Sequence, residues 1–144
     1  MTKSNPEQLS RKLKVELIFD GGSRGNPGPA YGSYRFKLGS GKARKPVRLD
    51  LGHGTNNEAE YLTLIRALKD LNAEFTRTGI DPKHVQLRIC GDSQLVIRQL
   101  QGRWKAKNIR MRNMRDEIWS LAETLGSVKY VHQARSRSVA ALGH

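Results

Sequence analysis

Cysteine is almost absent from this chain: Cys90 is the single one in 144 residues. One thiol excludes an internal disulfide framework and fits a reducing, cytoplasmic compartment. It also leaves no cysteine–histidine cluster of the kind that binds zinc. Long apolar runs are missing too. Nothing approaches the roughly 20 residues of a membrane span, and the polar N-terminus MTKSNPEQLSRK has no signal-peptide core. Repeats and low-complexity segments are likewise absent. Acidic residues are scarce: 13 Asp and Glu stand against 26 Lys and Arg, for a net charge of +13, and no acid follows Glu123. Such an excess predicts a polyanionic partner, most commonly nucleic acid, bound through phosphate neutralisation and counter-ion release. A ribosomal-type protein or simple surface solubility is the blander alternative.

What is present is a pattern of short elements. Leu13, Val15, Leu17 and Phe19 alternate with Lys14, Glu16, Ile18 and Asp20, the signature of a half-buried strand ending near the glycine-rich turn GGSRGNPG. AYGSYRFKL and KPVRLDLG read as two further strands joined by the hairpin sequence GSGKA, giving an antiparallel meander. TNNEAEYLTLIRALKDLNAEF reads as a helix with Thr55 and Glu58 as the halves of a capping box and Leu64, Ala67, Leu68 and Leu71 as its buried stripe. HVQLRIC is a fourth strand, DSQLVIRQL a short helix capped by Asp92 or Ser93, NMRDEIWSLAETLG another helix, and SVKYVH a last strand. The order βββαβααβ predicts an α/β fold, a mixed sheet flanked by helices. One domain is expected over residues 13–133, between a flexible tail at 1–12 and a basic C-terminal segment at 134–144.

Three carboxylates stand out. Asp20 at the rim of a strand suits a turn former, a metal ligand or a general base. Asp92 opens a helix, where an N-cap is the ordinary role. Glu60 lies in line with Leu64 and Ala67, heading the core-facing stripe, and a buried charge there needs a partner. Oxygen ligands without cysteine favour Mg²⁺ or Mn²⁺, and two such ions about 4 Å apart would serve phosphodiester cleavage. Three unrelated caps remain the competing reading. The segment Arg98–Arg115 holds seven basic residues and no acid around Trp104. It is either a solvated basic face or a polyanion-binding one, and Trp104 suits a core or a nucleic-acid contact equally. Trp119, within the spacing Ile118–Leu121–Ala122–Leu125, is expected in the core.

FDGGSRGNPGPA, TNNEAEY and GDSQLVIRQLQGRW together resemble, in order and spacing, the signatures of ribonuclease H of type 1, over roughly residues 13–131. The resemblance implies a five-stranded mixed sheet, its first three strands antiparallel, with helices on its faces. It implies an endonuclease that cuts the RNA strand of RNA–DNA hybrids with two Mg²⁺ ions, Mn²⁺ substituting, and leaves a 5′-phosphate. Asp20, Glu60 and Asp92 match three of the family's metal-binding carboxylates. Asn26, Thr55, Asn56 and Asn57 match its nucleic-acid contacts, Arg103, Trp104, Lys105 and Lys107 its grip on the DNA strand, and His132 a histidine assisting product release. A monomer acting on hybrid, away from membranes, is expected.

One position departs from the pattern. The family's fourth carboxylate, an Asp near the C-terminus, falls on Ala140 in one register and on Leu142 in another, and neither is acidic. Reduced activity is therefore expected, with a non-catalytic hybrid-binding domain as the alternative.

Overall fold

The computed structural model describes residues 12–143. The tail expected over residues 1–12 lies outside the described residues except for Lys12. Strands β1 (Leu13–Ser23), β2 (Gly28–Leu38) and β3 (Val47–Gly54) form an antiparallel meander. Helix α1 (Asn56–Thr78) leads through a short 3₁₀ turn (Pro82–His84) into β4 (Val85–Gly91), which runs parallel to β1. Helices α2 (Gln94–Leu100) and α3 (Ile109–Ala122) precede β5 (Ser127–His132), parallel to β4, and α4 (Arg135–Leu142) closes the chain. The spatial order is β3-β2-β1-β4-β5, the mixed five-stranded α/β sheet expected.

The two faces of the sheet carry different cargo. Val15, Leu17 and Phe19 are buried against the Leu64, Ala67, Leu68 and Leu71 stripe of α1, and Met114 and Ile118 of α3 complete that core. The alternate positions of β1 point the other way, so Ile18 packs with Cys90 of β4 under Leu142 of α4. Asp20 follows Ile18 by two residues and therefore shares its face. Among the described residues no helix is long and apolar enough to cross a membrane.

Local sequence explains where the elements start. Thr55 Oγ1 accepts from the Glu58 amide and Glu58 Oε1 from the Thr55 amide, both at 3.1 Å, the capping box that begins α1. Gly79 ends it in the left-handed region at φ 74°, its N–H donating to the Phe75 carbonyl.

Four expectations need correction. β1 does not stop at Asp20 but continues through Gly21 and Gly22 to Ser23. Gly21 stays in the strand with the α1 backbone packed against it, while Gly22 faces the Tyr31 side chain. α3 begins at Ile109, earlier than read, since Asn108 caps it by accepting from the Arg110 and Met111 amides. Trp119 is 38% exposed and flanks the core line of Ile118 and Ala122. Its indole N–H donates to the Leu100 carbonyl at 2.9 Å, and Arg115 stacks on its ring at 4.4 Å.

The fourth concerns the segment at 134–144, set apart in the sequence reading, which forms α4 on the sheet. Leu142 is fully buried, a contribution of roughly 1.5–3 kcal/mol. Arg35 donates to the Ala141 carbonyl at 3.1 Å and Arg48 to the Leu142 carbonyl at 3.0 Å. Both arginines thus satisfy the carbonyl end of the helix and oppose its negative pole.

Candidate metal centre and nucleic-acid interface

Three elements deliver the acids. Asp20 comes from β1, Glu60 from the first turns of α1, and Asp92 from the residue after β4. One carboxylate oxygen from each lies within 4.8 Å of the others. Asp92 is free for this because Ser93, not Asp92, caps α2 by accepting from the Val96 amide at 3.3 Å.

Gly21 makes the approach of Glu60 feasible. A Cβ at Gly21 would sit 2.5 Å from the Ala59 carbonyl carbon and 2.6 Å from the Glu60 nitrogen. Its cross-strand partner Gly32 is equally bare, and a Cβ there would meet Thr63 Oγ1. The paired glycines form a flat patch on which α1 lies close, and the Gly21 N–H donates to the Glu60 carboxylate.

The electrostatics are those of a cluster built for cations. Burial, then the charges of Asp20 and Asp92, push the Glu60 pKa well above the usual carboxylate range. Asp92 is raised as well, by burial first and by Asp20 second, while Arg135, a Ser138 hydrogen bond and His132 pull it down. Glu60 Oε2 is buried with no hydrogen-bond partner among the described residues. An oxygen-only donor set, mutual repulsion and an unused buried carboxylate oxygen fit a hard divalent cation such as Mg²⁺ or Mn²⁺.

The fourth position is decided by α4. Ala140 is exposed, and Leu142 is buried against Ile18 and Cys90, one step along the strands from Asp20 and Asp92. The buried α4 residue that reaches the acids is Ser138, hydrogen-bonded to Asp92. Neither register read from the sequence selected it. A base also faces the cluster: Arg135 Nη1 lies 3.5 Å from Asp92 Oδ2 and 3.9 Å from Asp20 Oδ1.

Around this centre the other expected residues are distributed as follows. Asn26 Oδ1 accepts from the Asn56 amide at 3.0 Å and Asn56 Oδ1 from the Ser23 amide at 2.8 Å, which ties the β1–β2 loop to the start of α1. Their side-chain NH₂ groups are left to donate outward. Thr55 has its capping bond to make. With Asn57 it lines a groove of about 330 Å³ that also includes Asn26, Asn108 and Arg110.

Asn108 and Arg110 went unnoticed in the sequence. Their signal is the Asn cap before IRMR, the four residues ahead of the segment NMRDEIWSLAETLG that reads as this helix. Arg110 pairs with Glu58 at 2.8 Å across the groove. Arg103, Trp104, Lys105 and Lys107 are exposed on the α2–α3 loop, with Trp104 at 44% and so outside the core. That loop is anchored by buried Ala106 and by Arg112, which donates to the Ala106 and Lys107 carbonyls. Gln99 ties it to α1, accepting from the Tyr61 hydroxyl at 2.6 Å and donating to the Lys105 carbonyl at 3.4 Å. His132 is exposed at the end of β5, its Nε2 3.2 Å from the Asp92 carbonyl.

Comparison with known proteins places this geometry among relatives. Residues 47–142 match the family described as reverse transcriptase-like. The chain is 42% identical over 108 residues to ribonuclease HI of Halobacterium salinarum, a match covering 75% of this chain and 50% of that protein. The crystal structure of a type 1 ribonuclease H from the same halophilic archaeon superposes with a TM-score of 0.75 at 34% identity, covering 87% of this chain and 89% of that one. A type 1 ribonuclease H solved in complex with an RNA/DNA hybrid gives a TM-score of 0.76 at 32% identity, covering 88% and 90%. The chain spans 50% of the length of the Halobacterium relative and 33% of a bifunctional protein of Mycobacterium tuberculosis that it also matches.

Proposed function

The chain belongs to the type 1 ribonuclease H family, and from that premise we propose that it hydrolyses the RNA strand of RNA–DNA hybrids as an endonuclease, leaving 5′-phosphates. Divalent metal, Mg²⁺ or Mn²⁺, is held by Asp20, Glu60 and Asp92. The observation that carries this reading is the convergence of those three carboxylates within 4.8 Å. Bound divalent metal supplies Lewis-acid stabilisation of phosphate charge and lowers the pKa of water at the site.

The chain's own residues bind, orient and exclude. Asp20 and Glu60, 4% and 5% exposed, present their oxygens from a desolvated floor, where attraction for a cation is strongest. Asn26, Asn56 and Asn57 donate amide hydrogens at the N-terminus of α1, chemistry suited to 2′-hydroxyls and backbone oxygens and indifferent to base sequence. Thr55 fixes that helix start. Arg103, Lys105 and Lys107 offer charge to the DNA strand and Trp104 a face for its sugars. Asn108 and Arg110 extend the contact along the groove. His132, beside the Asp92 carbonyl, assists departure of the cleaved phosphate. The related enzyme solved with a hybrid supports hybrid as the substrate.

Activity is expected to be lower than that of a four-acid site, because α4 brings Ser138 and Arg135 instead of a carboxylate. The same feature favours the second reading, a hybrid-binding domain that does not cut. A labelled hybrid incubated with and without Mg²⁺ separates them. Metal-dependent RNA cleavage that Asp20→Asn abolishes, with binding retained, supports the nuclease. Binding without cleavage at any metal concentration leaves the binding domain.

A further inference from the structure

Arg135 is out of place in a centre that collects cations. Its guanidinium faces two carboxylates whose side chains are only 5% and 8% exposed, Asp20 at 3.9 Å and Asp92 at 3.5 Å, while its own side chain is 68% exposed. It reaches them from the first residue of α4, and that helix is fixed in place. Leu142 is buried at its far end, Arg35 and Arg48 bond its last carbonyls, and the Gln133 amide bonds the Gly91 carbonyl just before it. The cation is therefore tethered beside the acids by the fold.

We propose that Arg135 is a built-in counter-cation that holds the Asp20–Asp92 edge of the cluster and competes there with divalent metal. This rests on the metal-binding reading above. Charge balance gives the reason. Once ionised, the three carboxylates carry three negative charges, which one divalent ion and one guanidinium neutralise. Two divalent ions beside Arg135 leave two positive charges in excess. A fourth acid would absorb part of that excess, but beside Arg135 the other α4 side chain that bonds Asp92 is the neutral Ser138.

The arrangement leaves Glu60 as the acid for the metal to keep. Glu60 Oε2 has no hydrogen-bond partner among the described residues, and the ion pairs of Arg135 go to Asp20 and Asp92 instead. The free protein thus holds one divalent ion on the Glu60 side, with Arg135 on the other. Displacing the guanidinium is part of admitting a second ion. Because the arm is long and largely in solvent, it can be displaced without unfolding anything, so metal affinity is weakened rather than abolished.

The test is Mn²⁺ binding to the full chain without nucleic acid, followed by calorimetry and by electron paramagnetic resonance of the free ion. Arg135→Gln keeps the length and polarity of the arm and removes its charge. It is expected to bind Mn²⁺ about tenfold more tightly, the scale of one ion pair at about 4 Å in largely aqueous surroundings. Arg137→Gln, an exposed arginine of the same helix, removes the same net charge and is expected to leave the dissociation constant within about twofold. Equal constants for the wild type and Arg135→Gln overturn the proposal. Equal tightening by Arg135→Gln and Arg137→Gln also overturns it, since net charge alone would then be the cause. If neither the wild type nor Arg135→Gln binds Mn²⁺, the metal-binding reading itself fails.

Discussion

Replacing Gly21 by alanine tests how the sheet brings Glu60 to Asp20. The added methyl would lie 2.5 Å from the Ala59 carbonyl carbon and 2.6 Å from both the Ala59 oxygen and the Glu60 nitrogen, against 3.4 Å or more for ordinary contact. These are backbone atoms of a 23-residue helix, so no side chain can swing aside. The first turns of α1 must retreat by about 1 Å, an overpacking cost of about 1–3 kcal/mol. At this chain length that is a fall of roughly 3–10 °C in Tm. Glu60 retreats with the helix, and a displacement of that size in a catalytic constellation costs about 100-fold in rate.

Gly22→Ala is the internal control. Its methyl would meet the ring and hydroxyl of Tyr31, a side chain that is 40% exposed and able to turn outward. Thermal denaturation and hybrid cleavage are measured for both variants. If Gly21→Ala melts within about 1 °C of wild type and cuts hybrid at an undiminished rate, the close approach of α1 does not position Glu60 and the reasoning is wrong.

Other expectations follow from the same geometry. The Glu60 pKa is raised in the folded state, so the fold binds a proton that the unfolded chain has lost above its ordinary pKa of 4.5. Stability of the metal-free protein is therefore expected to fall as pH rises from about 4.5 through the raised value. Glu60→Gln should flatten that slope and raise Tm at neutral pH while abolishing cleavage; an unchanged slope refutes the burial argument. Ser138→Asp adds an acid beside Asp92, lowering Tm without metal and recovering it with Mg²⁺, and it should raise cleavage where exposed Ala140→Asp does not. A larger gain from Ala140→Asp would show that α4 is oriented otherwise. Arg110→Ala should weaken hybrid binding uniformly across sequences and reduce the salt slope by about one unit if it meets a phosphate; an unchanged slope removes Arg110 from the interface.

Much of the fold was legible because it is local. The Thr55–Glu58 box, the Leu64–Leu71 stripe and the alternation along β1 each involve residues a few positions apart, so periodicity and capping chemistry suffice to read them. The three acids were legible as candidates for the same reason, each sitting in a recognisable place on its own element. Their mutual distance was not. It depends on β4 lying parallel to β1 and on two bare glycines facing each other across β1 and β2, pairings between residues far apart in sequence.

The misreadings have the same origin. Gly21 and Gly22 look like a turn until α1 is laid on Gly21 and Tyr31 on Gly22. Trp119 is one step off a core line, and the roughly 100° rotation of a single helical residue separates burial from the flank. α4 resisted reading because its buried face is only Ser138 and Leu142 and its signal lies in what it covers. The sequence alone determined the elements up to β5 and which acids are available, since those follow from neighbours in the chain. Only the tertiary structure decided that Ser138 and Arg135, rather than a fourth carboxylate, face the cluster, because that depends on the rotation of one short helix against a sheet assembled from distant segments.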